Sequence, residues 1–154
     1  MQDLKRQEPE TDRLKKQIEK LTSEAAAKTG VDRYSDLVLV ARVEWKLAKL
    51  EFPNDLVQLE AARKALVDAE VDHAREKEKD EWAKKIAELE EKVEKATGVL
   101  KETHTKRLLA ALEEFDGWEK SWPTKEIELR KKFEETYAMP SLISRFLTFK
   151  EIRS

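Results

Sequence analysis

An all-α, elongated fold of the coiled-coil or helical-hairpin bundle type is predicted by two apolar seams and by the composition of the chain. Trp82, Ile86, Leu89, Val93, Ala96 and Leu100 recur alternately four and three residues apart within a highly charged stretch. That spacing is a heptad, and a heptad calls for a partner helix. Leu14, Ile18, Leu21 and Ala25 repeat the pattern near the start. Charged residues make up 42% of the 154, whereas Gly and Pro number three and four, a balance that suits long solvated helices better than a sheet. Roughly four to six helices are expected on this reading, with a small aromatic-rich helical element at the C-terminal end.

Residues 1–10 are polar, include Pro9 and read as a tail. Thr11 or Asp12 can cap a first helix that carries the Leu14 seam to about Lys28, where Thr29 and Gly30 mark its end. After a short connection, Val31 to Tyr34, Ser35 or Asp36 can cap a second helix reaching about Glu51, and Phe52, Pro53 and Asn54 force a break. Within this segment Ala41, Val43, Trp45 and Leu47 alternate with Arg42, Glu44 and Lys46 in a strand-like period of two. A lone strand needs a partner, however, and no second strand candidate exists. Helix is therefore the reading adopted, with Arg42, Lys46 and Lys49 on a polar stripe and a broad apolar face opposite.

Asn54 can cap a long third helix from Asp55, on which Ala61, Ala62, Ala65 and Ala69 allow close approach by helix two. Trp45 packed over these small residues is the expected contact of an antiparallel hairpin. Unbroken to Thr97, the third helix would be on the order of 65 Å long at the usual rise per residue. Gly98 can end it as Gly30 ends the first, and the surroundings Thr29-Gly30-Val31 and Thr97-Gly98-Val99 are alike. Leu108, Leu112 and Phe115 form a further stripe, closed by Gly117 and Pro123. A short helix from Thr124 to Tyr137 carries Ile127, Leu129, Phe133 and Tyr137, and Met139 and Pro140 break it. Ser141 caps a last amphipathic segment with Leu142, Phe146 and Phe149 on one face. Residues 11–122 thus form the coiled-coil or helical-hairpin body and residues 123–154 the amphipathic docking helices.

The 31 basic and 33 acidic side chains nearly cancel and are interleaved, so no strong field attracts nucleic acid. The absence of cysteine removes disulfides, thiolate nucleophiles and Cys-based metal sites together. The N-terminal MQDLKRQEPETD lacks the apolar stretch of a signal peptide, and no run approaches a membrane span, so a soluble intracellular protein is expected. Glu70 and His73 have the E-x-x-H spacing of carboxylate-bridged di-iron bundles, but such a site needs two of these motifs, and His104 stands at the wrong spacing. With no Gly-rich phosphate loop and no nucleophile elbow, neither enzyme, metal nor cofactor is expected.

What remains is a structural or interactive role, as a coiled-coil accessory subunit, scaffold or adaptor held in a larger protein assembly. Its partners would be other protein subunits or a second copy, engaged through helix pairing. Seven of the eleven aromatic residues lie in the last forty positions, which directs the search for recognition there. Trp118, Trp122, Phe133, Tyr137, Leu142, Phe146 and Phe149 are the candidate contacts, although Trp118 and Trp122, four apart beside Phe115, equally suit a small internal core. Arg145, Lys150 and Arg153 against Glu151 give the alternative, a peripheral membrane protein that lays its basic C-terminal helix on an anionic surface.

Overall fold

The computed structural model describes residues 9–139, and these form an all-α bundle of four helices: α1 (Glu10–Ala26), α2 (Gly30–Glu51), α3 (Leu56–Lys95) and α4 (Gly98–Thr136). Each packs on its neighbour in sequence, α1 on α2, α2 on α3 and α3 on α4, and no other pair of these helices comes within packing distance. The segment around Trp45 is helical throughout. The last amphipathic segment, with Leu142, Phe146 and Phe149, lies outside the described residues.

Two of the three turns are built alike. Thr29 is extended at φ −133°, ψ 164° and is followed by Gly30 at φ 64°; Thr97 is extended at φ −132°, ψ 159° and is followed by Gly98 at φ 61°. The left-handed region costs a residue with a Cβ about 1–2 kcal/mol, so the glycine is what lets the chain reverse so tightly. The helix that follows starts at the glycine itself. The expected cap at Ser35 or Asp36 is therefore misplaced by five residues or more: Asp36 lies inside α2, buried, with its carboxylate 2.7 Å from the Lys28 ammonium of the turn. Leu100 likewise leaves the long seam, because the Gly98 turn carries it onto α4, where it is 58% exposed.

The third turn is made by Phe52, Pro53, Asn54 and Asp55. Asp55, rather than Asn54, caps α3, accepting hydrogen bonds from the backbone N–H groups of Val57 (3.1 Å) and Gln58 (3.2 Å). At the N-terminal side, α1 starts at Glu10 with Pro9 in the N-cap position, two residues before the nearer expected cap, Thr11.

Two apolar clusters fill the base of the molecule. Ala41, Trp45 and Ala48 of α2 meet Leu59 and Leu66 of α3, with Ala62, Ala69, Tyr137 and Met139 against them. Of the four alanines expected beneath Trp45, Ala62 and Ala69 pack against the cluster that holds it, while Ala61 and Ala65 are exposed. Val67 and Val71 of α3 meet Trp122 of α4, flanked by Ala74, Trp118, Leu129 and Phe133. On the outer side of α2, Leu14 and Ala25 are buried and Ile18 and Leu21 half-buried, so the first seam is used within the chain.

α2 has 22 residues and α3 has 40, so α3 overhangs it by about 18 residues, or about 27 Å. Over that length α3 and α4 run as a two-helix arm. Trp82, Ile86, Leu89 and Val93 are half-buried there and Ala96 buried, and the Trp82 and Phe115 rings lie 6.2 Å apart. The long seam therefore also finds its partner helix inside the chain.

α4 runs unbroken through Gly117 and Pro123, where a stop was expected. Proline in a helix interior removes one backbone hydrogen bond and costs about 3 kcal/mol. The helix survives because its inward side chains are packed on both sides of the proline, Trp118 and Trp122 before it and Leu129 and Phe133 after it. Ser121 donates to the carbonyl of Trp118 at 3.0 Å within the same turn. Pro123 itself is exposed and buries nothing. Pro123→Ala is accordingly expected to raise the free energy of unfolding by about 1–3 kcal/mol, measured by urea denaturation, with an unchanged fold by NMR chemical shifts. An equal or lower stability would show that the proline is accommodated without strain.

Candidate functional site

The aromatic residues singled out in the sequence come together as an internal ladder. Phe115 and Trp118 stack with ring centroids 5.7 Å apart and planes 12° from parallel, and Trp118 meets Trp122 at 5.7 Å and 44°. Trp82 of α3 extends the run from the other side. Trp122 is only 4% exposed, Trp118 and Phe133 are half-buried, and all three pack toward Val67 and Val71. Of the two roles open to Trp118 and Trp122, the internal core is the one occupied.

Tyr137, just past the end of α4, belongs to a polar site at the base. Glu70 of α3 is 8% exposed, and one oxygen, Oε1, accepts from Arg42 Nε (3.0 Å), Arg42 Nη2 (2.6 Å) and Tyr137 Oη (3.0 Å). Burial, with the hydroxyl hydrogen bond to Glu70, pushes the Tyr137 phenol above its usual range, against the opposing pull of Arg42. Beside this site Arg63 Nε donates to the Tyr137 carbonyl (2.7 Å) and Nη2 to the Glu134 carbonyl (2.7 Å). The guanidinium thus caps the C-terminal end of α4, whose last carbonyls have no partner within the helix. Farther along, Arg130 of α4 reaches Asp68 of α3 at 2.5 Å and Glu126 at 3.2 Å, and Lys125 pairs with Glu78.

His73 is half-buried one turn from Glu70, whose carboxylate is engaged by Arg42 and Tyr137. His104 is half-buried near the arm tip, in a shallow groove with Glu88, Glu91, Lys92, Lys95, Ala96 and Leu100. Among the described residues no three His, Cys, Asp or Glu side chains converge in a way that could hold a metal ion. No described helix is long and apolar enough to cross a membrane.

Among the described residues, the exposed large apolar side chains of α4 lie outside its aromatic run. The inner stripe of α4 is Leu108, Ala111 and Phe115, with Ala111 buried, whereas Leu112 is 40% exposed and turned outward beside Leu109. Leu109, Leu112 and Ile127 share the outer side of α4, which no described helix covers. A second apolar surface is found at the α2–α3 turn, made of Phe52, Leu56 and Val57. The spacing of Ala111 four before Phe115 was the available signal for the inner stripe; nothing local marks Arg42 or Arg63, whose partners are 28 and more than 70 residues away.

Tyr137→Phe removes one donor from the Glu70 carboxylate and is expected to lower stability by about 1–2 kcal/mol at neutral pH. Because the folded state raises the phenol's pKa above its unfolded value, the wild type holds the associated stability below about pH 10 and loses it as pH rises through the folded-state value. The variant should lack that alkaline loss. Urea titrations at neutral pH and above pH 10 read both effects, and parallel curves for the two proteins would count against the hydrogen bond.

No known protein family, no curated protein and no solved structure matches this chain.

Proposed function

We propose that this protein is a non-enzymatic helical scaffold or adaptor, a subunit of a larger protein assembly that pairs another protein's helix, or a second copy of itself, along the outer side of α4. One observation carries the reading: α4 is apolar on two sides. Its inner side is covered by α3, while Leu109 is 58% exposed, Leu112 40% and Ile127 70% on the other. Large apolar residues repeated on a solvated helix face are the anchors of helix pairing, each worth about 1.5–3 kcal/mol when fully buried. The projecting arm supports the same reading, since a two-helix rod displays a long face for pairing.

The neighbourhood also favours a protein partner over nucleic acid. Lys106, Lys120 and Lys125 on α4 pair with Glu102, Asp116 and Glu78, and the eight basic residues of the helix stand against nine acidic ones, so it carries no net positive charge.

The triple variant Leu109→Glu, Leu112→Glu, Ile127→Glu tests the proposal against the wild type, by sedimentation equilibrium for self-association and by quantitative affinity capture for other proteins. The wild type should form a defined complex that the variant weakens by at least about tenfold, with helix content unchanged by circular dichroism. A wild type that stays a monomer and retains no partner, or a variant that binds as well, would remove this reading.

A further inference from the structure

The outer side of α4 carries a heptad of its own. Leu109, Glu113, Asp116, Lys120, Pro123 and Ile127 stand alternately four and three residues apart, and all six are exposed. Their order is balanced about Trp118, with Leu109 and Ile127 nine residues to either side, Glu113 and Pro123 five, and Asp116 and Lys120 two. Trp118 packs inward and only marks the midpoint. α4 runs from Gly98 to Thr136, so the same point lies near the middle of the helix.

An antiparallel copy of α4 laid on this face about residue 118 overlaps it almost end to end. Leu109 then meets Ile127 of the second copy at both ends, and Asp116 meets Lys120 of the second copy twice at the centre. Asp116 Oδ2 and Lys120 Nζ already pair within the helix at 2.8 Å. That bond stays: the carboxylate has a second oxygen and the ammonium has further hydrogens, so four alternating charges close a ring across the axis. A parallel copy would instead set Asp116 against Asp116 and Lys120 against Lys120. Past Leu109 and Ile127 the match ends, because Lys106 faces Arg130, which is engaged by Asp68 and Glu126.

Resting on the reading of the outer side of α4 as a pairing face, we infer that its occupant is a second copy of this chain, bound antiparallel and two-fold symmetric about residue 118. Every contact of such an interface is made twice, and the assembly closes at two. The polar centre and the apolar ends fix both orientation and register, since any shift of the second copy sets charges against Leu109 and Ile127.

Charge exchange tests the copy. Asp116→Lys places like ammonium groups at the centre of a pair and Lys120→Asp places like carboxylates there, so each variant alone should dimerise at least about tenfold more weakly than the wild type in sedimentation equilibrium. An equimolar mixture of the two restores opposite charges at both central contacts and should recover the dimer. Both positions are exposed, and circular dichroism should show unchanged helix content. Relaxation by a nitroxide tests the orientation. The chain has no cysteine, so labelled Lys131→Cys protein of natural abundance, mixed with isotope-enriched wild type, should attenuate amide signals centred on Thr105, which lies as far before residue 118 as Lys131 lies after it. Attenuation centred on Lys131 itself means a parallel pair and overturns the inference, as do single variants that dimerise like the wild type or a mixture that fails to recover. So does a wild type that is monomeric at about 1 mM. If that monomer retains another protein, and the Leu109→Glu, Leu112→Glu, Ile127→Glu variant loses it, the pairing face stands and only the second copy falls.

Discussion

Glu70 brings a charge to the place where α2, α3 and the end of α4 meet, and the base of the molecule is organised around satisfying it. An unpaired carboxylate at 8% exposure would cost several kcal/mol. Arg42 from α2 and Tyr137 from the end of α4 converge on the same oxygen instead. The apolar clusters on either side are rich in alanine and valine, and such surfaces attract without direction. A slip of either neighbour by one helical turn, about 5.4 Å, would leave much of the apolar contact in place but would strip the carboxylate of its donors. Glu70 therefore sets the register of two interfaces at once, and Arg63, which holds the end of α4 against α3, works in the same direction.

Burial is distributed very unevenly along the long helices. Of the buried apolar residues among those described, only Ala96 and Ala111 belong to the arm, and both are small. The base holds Trp45, Leu59, Leu66, Val67, Val71 and Trp122. Two helices can bury one stripe each, whereas four in succession let α2 and α3 bury two each, so the arm lacks the further layers that make the base dry. The ladder Trp82, Phe115, Trp118 and Trp122 is the only aromatic run joining arm to base among the described residues, and it carries large side chains out to where a third helix no longer covers the pair. Local opening begins where burial is least, so the tip around Gly98 is the first part of the bundle to open and the Glu70 region the last.

The sequence contained the helices but not all of their limits. Heptad spacing is a direct consequence of helix geometry, which is why the Leu14 and Trp82 seams were readable and why both proved to be interfaces. Alternation around Trp45 misled only to the extent of suggesting a strand, because a helix buried on two sides has no single stripe to display. Turn chemistry at Thr29-Gly30 and Thr97-Gly98 was legible for the same reason in both places, a left-handed residue being required. Pro123 was misread since its local effect is overridden by contacts with α3, which lies some fifty residues away in sequence. Interaction residues were the hardest to tell from core residues. An aromatic stripe looks the same in sequence whether it is a core or a surface, and only the facing helix decides.

That distinction also governs what a seam can say about a partner. The heptad that first signals helix pairing is satisfied within the chain, so its strength carries no information about any second protein. The outer side of α4 is a weaker pattern and the more informative one. Leu109 and Leu112 stand toward the tip and Ile127 toward the base, with the ion pair Asp116–Lys120, 2.8 Å, between them. Exposed pairs of this kind add little stability, about 0.3–0.5 kcal/mol when four residues apart on a helix. A helix laid along this face would meet apolar anchors at both ends and a charged centre, so it would need a polar residue at mid-length or lose affinity to the desolvation of the ion pair. Continuous heptads without such a residue would be rejected, and the same Asp116 and Lys120 that interrupt the stripe would select among partners.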